Sequence, residues 1–295
     1  MHQWIGDLVD VGPGRFLGGV RVPMSTAIVR TYTAEGFVIA ADGRARGTED
    51  GKTKFEKVQK IFPIGSGRNP LLVYSISGSP TIPSRDATEV AFNFVEKINA
   101  AAQVFSERRA NNLFDYAKRV GGAVHQALKD AKMVGLLDYP ESETLDPSER
   151  GSTIARVLID GYYKGVPSRM KMRFFHEHQV LARLEVLQQE LAAGTQWAQG
   201  SEKVFELMFG AHGESTSNTF SAYERRSVEL VFHPNETLRI HAQMAHAYIS
   251  ACSGPEALAI DPKTCEGIGG DIHIVTITPK EGIQWVVRPE HFDAL

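Results

Sequence analysis

The chain has 295 residues, enough for one large core or two small ones. With 42% apolar and 23% charged residues it has a globular composition, which excludes a disordered, collagenous or coiled-coil chain. Thirty-two Lys and Arg against 35 Asp and Glu leave a formal charge of −3, so no overall positive field exists to hold nucleic acid or an anionic membrane.

The first 25 residues hold five glycines and two prolines with no helical or strand period, and read as a loop-like N-terminal extension or a segment later removed. They lack the basic and continuously apolar regions of a secretory signal. Residues 26–295 are expected to form a single domain. STAIVRTY (25–32) and GFVIAAD (36–42) are β-rich runs joined by Thr33-Ala34-Glu35, a hairpin whose strands are apolar on more than one face. After a polar loop over 43–57, VQKIFPI (58–64) and LLVYSISG (71–78) form a second hairpin around GSGRNP.

The middle of the chain is helical. Val90, Phe94, Val95, Ile98, Ala102 and Phe105 recur at steps of three and four behind Ser84, a candidate cap; Leu113, Tyr116, Ala117, Val120, Val124 and Leu128 repeat the spacing. DYPESETLDPSERGS (138–152) reads as a loop. TIARVLIDGYY (153–163) and SRMKMRFFHEHQV (168–180) make a hairpin around KGVP, and Leu238, Ala242, Ala245 and Ile249 stripe a helix begun by Pro234-Asn235. IHIVTI (272–277) and IQWVV (283–287) close the chain as a last hairpin. Separate strand and helix blocks predict an α+β fold with largely antiparallel sheets and helices outside them.

The longest apolar runs, GFVIAA (36–41) and LLVYSI (71–76), fall far short of the roughly 20 residues that cross a bilayer. Cys252 and Cys265 belong to no CxxC pair and cannot build a disulfide framework, so a cytoplasmic setting is expected, with both as small core or loop residues. No phosphate loop, HExxH or GxSxG motif is present. VGPGRFLGG (11–19) follows no strand and opens no helix, which argues against a dinucleotide site. His176-Glu177-His178 puts two imidazoles on one strand face but lacks a third ligand of matched spacing, and His241 and His246 diverge on their helix. No metal or organic cofactor is expected.

The informative constellation lies in the first two hairpins, where strand pairing can bring together Thr26, Asp42 and Lys60. A hydroxyl is a poor nucleophile until a base takes its proton, and a threonine at a free N-terminus carries that base in its own amine. A neighbouring lysine tunes the amine by like-charge repulsion, and an aspartate holds the lysine. On spacing alone, a strand threonine, a turn aspartate and a surface lysine explain the same residues.

STAIVRTYTAEGFVIAADGRARG, followed by KVQKIFPI and LLVYSISGS, resembles the opening of the proteasome β-type subunits and their bacterial relatives in the N-terminal nucleophile (Ntn) hydrolase superfamily. The matching positions are Thr26, Gly36, Ala40-Ala41-Asp42-Gly43-Arg44 and Lys60. Further on, GSTIARVLIDGYYKG, Gln199-Gly200-Ser201 and Gly269-Gly270 with IHIVTI are similar to later family segments. The resemblance is strong in the first third and loose after about residue 165.

It implies a four-layer αββα sandwich, two antiparallel sheets face to face with helices outside. Thr26 is implied as nucleophile and, through its freed amine, base; Lys60 tunes that amine and Asp42 positions Lys60. Main-chain N–H groups at Ser77 and Gly78 are implied as oxyanion donors, with Arg44 and Ser201 as supports of the substrate site. The implied activity is threonine-type hydrolysis of polypeptide amide bonds through an acyl-enzyme, in protein degradation by a homo-oligomeric ring. A small-molecule amidohydrolase and a non-catalytic scaffold subunit are the alternatives. Three departures stand out: Ser77 where the family has a second glycine, Cys265 and Ile268 where it carries an Asp and a Ser, and Ser25 where self-processing members have Gly before the nucleophile.

Overall fold

Strand β1 (Ile28–Tyr32) turns at Thr33–Gly36 into β2 (Phe37–Asp42), the hairpin expected from the alternating run. The structure, a computed structural model, describes residues 26–46, 54–55, 58–64, 71–78, 80–83, 90–105, 109–133, 153–175, 183–189, 191, 193, 196–209 and 238–288. The 25-residue extension, the 11–19 glycines, Ser84, the 138–152 loop, His176–His178 and Pro234-Asn235 lie outside these residues.

After the short pair β3 (Ala45–Arg46) and β4 (Lys54–Phe55), β5 (Ile61–Ile64) and β6 (Leu72–Gly78) form the second hairpin. A third hairpin, β7 (Thr81–Pro83) with β8 (Val90–Asn93), occupies ground where the apolar spacing predicts the start of a helix. Val90 is a half-exposed strand residue. Helix α1 (Phe94–Val104) starts only after Asn93, whose side chain accepts from Glu96 N at 3.2 Å; this cap satisfies a backbone donor that Ser84 is too far upstream to reach. Helix α2 (Leu113–Met133) is capped in the same way by Asn112, which accepts from Asp115 N at 2.8 Å.

Strands β9 (Thr153–Tyr163) and β10 (Val166–Phe175) form the middle hairpin, and β11 (Arg183–Gln188) and β12 (Gln196–Gln199) follow. Next come helices α3 (Glu202–Phe209), α4 (Leu238–Ser253), α5 (Pro255–Ile260) and α6 (Pro262–Cys265). The closing hairpin is β13 (Ile272–Thr278) with β14 (Gly282–Val287).

The strands assort into two five-stranded antiparallel sheets, ordered β12-β1-β2-β13-β14 and β11-β10-β9-β6-β5. The first two hairpins therefore lie in opposite sheets. Side-chain alternation explains the layering. Ile28, Phe37, Ile39, Val275 and Ile277 of one sheet meet Ile61, Val73, Leu158 and Tyr162 of the other in a buried middle layer. Val29, Val38, Ala40 and Ile274 turn the opposite way and pack on α3 to α6. Tyr74, Ile76, Val157 and Phe174 cover α1 and α2, where the rings of Phe94 and Phe174 stand 5.2 Å apart. Each large apolar side chain buried this way contributes about 1.5–3 kcal/mol. The result is an α+β sandwich of two antiparallel sheets flanked by helices, as the sequence predicts.

A charged cluster interrupts the apolar middle. Arg30 of β1 and Arg169 of β10 both donate to Asp160 of β9, so the carboxylate links the two sheets, with Arg169 Nε at 2.7 Å. Burial lowers the Arg30 guanidinium to about 10 despite the opposing pull of Asp160.

Candidate active site

The site forms where β1 begins and β2 ends. Antiparallel pairing sets Ile28 across from Ala41, and Ala27 and Asp42 continue the ladder: Asp42 N donates to Ala27 O at 3.1 Å, while Ala27 N donates to Asp42 Oδ1 at 2.8 Å. Lys60 arrives from the opposite sheet, just ahead of β5, where its carbonyl accepts from Ile76 N. Its Nζ stands 2.9 Å from Asp42 Oδ1 and 3.3 Å from Thr26 Oγ1. The structure thus brings Thr26, Asp42 and Lys60 into one hydrogen-bonded group, and all three are buried.

Asp42 also accepts on Oδ2 from Arg44 N and Gly269 N, each at 3.2 Å. Donors converge on both oxygens, which suits an acceptor-only carboxylate, since a protonated oxygen would set a donor against a donor. Burial pushes Asp42 up and Lys60 down, toward their neutral forms; each partner's charge and the bond between them pull the other way. The ion pair and the backbone N–H groups favour the charged forms against that burial.

Arg44 joins the site through its guanidinium, which donates to Ile268 O at 2.8 Å and lies against Gly269. Gly269 has φ +147°, a conformation that favours glycine, and a Cβ there would come within 2.5 Å of the guanidinium carbon and push Arg44 aside. Ser77 donates through Oγ to Gln199 Oε1 at 3.1 Å, bridging the sheets beside Thr26, since Gln199 pairs with Ile28. Gly78 ends β6 at φ +91°, where a Cβ would meet Ile154 O at 2.5 Å.

Ser201 has a different local role. Its hydroxyl donates to Asp261 Oδ2 at 2.7 Å and accepts from Val204 N at 3.3 Å, capping α3, while its carbonyl accepts from Tyr248 OH at 3.1 Å. No hydrogen bond joins it to Thr26 among the described residues. Asp261 is the residue that the sequence reading missed here: Asp261-Pro262 carries the local signature of a helix cap, and Asp261 indeed accepts from Thr264 N. Cys265 and Cys252 are both buried free thiols in the wall behind Ser201, and burial pushes Cys252 well up. His241 and His246 lie on α4, His241 buried and His246 with Nδ1 3.3 Å from Ser250 Oγ. No group of three potential metal ligands occurs among the described residues.

Several solved structures are similar to this chain. The Anbu (Gly-1) mutant from Hyphomicrobium sp. strain MC1 is 15% identical, with 88% of this chain and 87% of that one covered and a TM-score of 0.45. Anbu, an ancestral beta-subunit, from Yersinia bercovieri is 11% identical over 89% and 88% of the two chains, with a TM-score of 0.48. A helical assembly of the Anbu complex from Pseudomonas aeruginosa is 12% identical over 91% and 88%, with a TM-score of 0.45. No protein-family model matches the chain, and no curated protein matches it. The family assignment made from the sequence is corrected accordingly: the similar structures are Anbu proteins, a family distinct from the proteasome β-type subunits of the Ntn hydrolase superfamily. Among the described residues no helix is long and apolar enough to cross a membrane.

Proposed function

We propose that this protein hydrolyses amide bonds in polypeptides, with Thr26 as nucleophile once residues 1–25 are removed. The observation that carries this reading is the contact of Lys60 Nζ with both Thr26 Oγ1 and Asp42 Oδ1 inside a buried site. A buried ammonium aimed at a hydroxyl oxygen stabilises negative charge on that oxygen as its proton leaves. The proton goes to the freed α-amine of Thr26, whose ordinary pKa near 8 suits a base at neutral pH. Thr26 Oγ1 then bonds to the scissile carbonyl carbon, the amine leaves with a proton, and water releases the acyl group from Oγ1.

Lys60 tunes the amine and Asp42 holds Lys60 charged and oriented. The main-chain N–H groups of Ser77 and Gly78 are the oxyanion donors, a contribution of about 3 kcal/mol to the barrier. Arg44 fixes the Ile268–Gly269 backbone that also binds Asp42. Ser201 supports the substrate site through the Gln199–Ser201 segment. Homo-oligomers in the cytoplasm complete the reading, supported by exposed Leu187 on edge strand β11, exposed Val286 and Val287 on edge strand β14, and two buried free thiols.

The test is hydrolysis of a fluorogenic peptide panel by the parent and by Thr26→Ala. Hydrolysis by the parent that vanishes in Thr26→Ala supports the assignment; equal hydrolysis by both removes Thr26 from the reaction.

A further inference from the structure

An ammonium has three N–H donors. Among the described residues, Lys60 spends one on Asp42 Oδ1 and one on Thr26 Oγ1. The side chain is buried, so the third is poorly placed to reach bulk water. The complementary deficit lies on the next strand. His273 of β13 sits directly across from Ala41, beside the Ile272–Asp42 pair. It shares the strand face of Val275 and Ile277, which fill the layer between the sheets, whereas Ile274 turns toward the helices.

The His273 ring is fully buried, and neither Nδ1 nor Nε2 has a hydrogen-bond partner among the described residues. Its pKa falls from 6.5 to about 4, chiefly through burial and then through the charge on Lys60, with Asp271 pulling the other way. The imidazole is therefore neutral at physiological pH and offers one lone pair and one N–H. A leftover donor and a leftover acceptor thus share one buried region: the Lys60 charge acts on the ring, and no direct hydrogen bond joins the two. Ser75 Oγ is a third unpartnered buried atom; it shares the inward face of Val73 and pairs across from Ile61, the residue after Lys60.

We propose that His273 is a positioning residue for Lys60, acting through one buried water that accepts the third Lys60 N–H and donates to the imidazole lone pair. Buried waters of this kind make about three hydrogen bonds, and Ser75 Oγ is the third partner. The bridge fixes the direction of the ammonium and so its approach to Thr26 Oγ1; in this respect it rests on the reading of Thr26 as nucleophile. Protonation of His273 removes the acceptor and sets a second cation beside Lys60, which breaks the bridge.

A high-resolution crystal structure of the full chain tests the bridge directly. A water within about 3.2 Å of both Lys60 Nζ and a His273 ring nitrogen is expected; a dry gap or a direct ring-to-ammonium bond overturns it. Histidine 15N NMR tests the coupling: the ring stays neutral down to near pH 4 in the parent, and its titration moves upward in Lys60→Met. Titration near 6.5 in the parent contradicts the proposal. In peptide hydrolysis, His273→Leu is expected to lower kcat about tenfold with KM nearly unchanged, and His273→Gln to recover most of the loss. Full kcat in His273→Leu overturns the positioning role. Thr26→Ala is assayed alongside: if it hydrolyses like the parent, the nucleophile reading fails, while the crystal and NMR results still decide the place of His273.

Discussion

Lys60 Nζ meets Asp42 Oδ1 at 2.9 Å across the gap between the two sheets, and the carboxylate is wholly buried. Such a pair is expensive to desolvate and is held only where further hydrogen bonds complete it, as Ala27 N, Arg44 N and Gly269 N do here. Either partner alone must neutralise or remain an uncompensated buried charge.

Lys60→Ala is therefore expected to lower peptide hydrolysis by about a hundredfold or more, with circular dichroism showing a folded protein. Because burial already pushes Asp42 up, its carboxyl takes up a proton when Lys60 is lost and the fold survives. Turnover equal to the parent's would remove Lys60 from the mechanism.

A second buried carboxylate ties the two sheets together. Asp160 receives Arg30 and Arg169 from two different sheets. Asp160→Asn removes the carboxylate charge that both guanidiniums share and is expected to cost about 3–5 kcal/mol in urea unfolding. A loss under about 1 kcal/mol would show that the cluster is not what joins the sheets.

Much of this architecture is readable along the chain, and the failures have identifiable causes. Alternation in IVRTY and FVIAAD, and the long run TIARVLIDGYY, mark strands whose faces are then sorted by the two sheets. Val90 misleads because its spacing to Phe94 and Ile98 is helical, while tertiary pairing of β7 with β8 claims it; the better local signal is Asn93 followed three residues later by Glu96. Gln196–Gln199 has no strand pattern of its own and becomes a strand only by pairing with β1. For Thr26, Asp42 and Lys60, spacing alone does not separate a site from three ordinary residues, because only the folded chain sets the ends of β1 and β2 against Lys60 from the opposite sheet. Asp261 escapes because a helix cap and a partner for Ser201 look alike in sequence, and His273 because one histidine in an apolar strand gives no sign of what faces it.

Gly78 is the test of backbone geometry beside Ser77. With φ at +91° and Ile154 O at 2.5 Å from any added Cβ, Gly78→Ala must shift β6 against β9. A stability loss of about 1–3 kcal/mol is expected in thermal unfolding, together with a fall in kcat that exceeds any change in KM. Unaltered kcat would take the Gly78 N–H out of oxyanion binding.

His273 makes stability depend on acid. Above pH 6.5 folded and unfolded chains both hold it neutral and it contributes nothing. Between 6.5 and about 4 the unfolded chain binds a proton that the folded chain refuses, so stability falls as pH falls, by on the order of 3 kcal/mol once pH is below about 4. The difference between parent and His273→Leu in urea unfolding at pH 7 and pH 4.5 isolates this effect. A difference that does not change with pH would contradict the neutral buried ring.

The whole account turns on the nitrogen of Thr26, which is a base only as a free amine. Intact mass and N-terminal sequencing of the purified protein test this most directly. The account predicts a mature chain that begins at Thr26, with residues 1–25 gone. A stable chain that still begins at Met1 or His2 would leave that nitrogen acylated, and would contradict the threonine mechanism in favour of a non-catalytic scaffold.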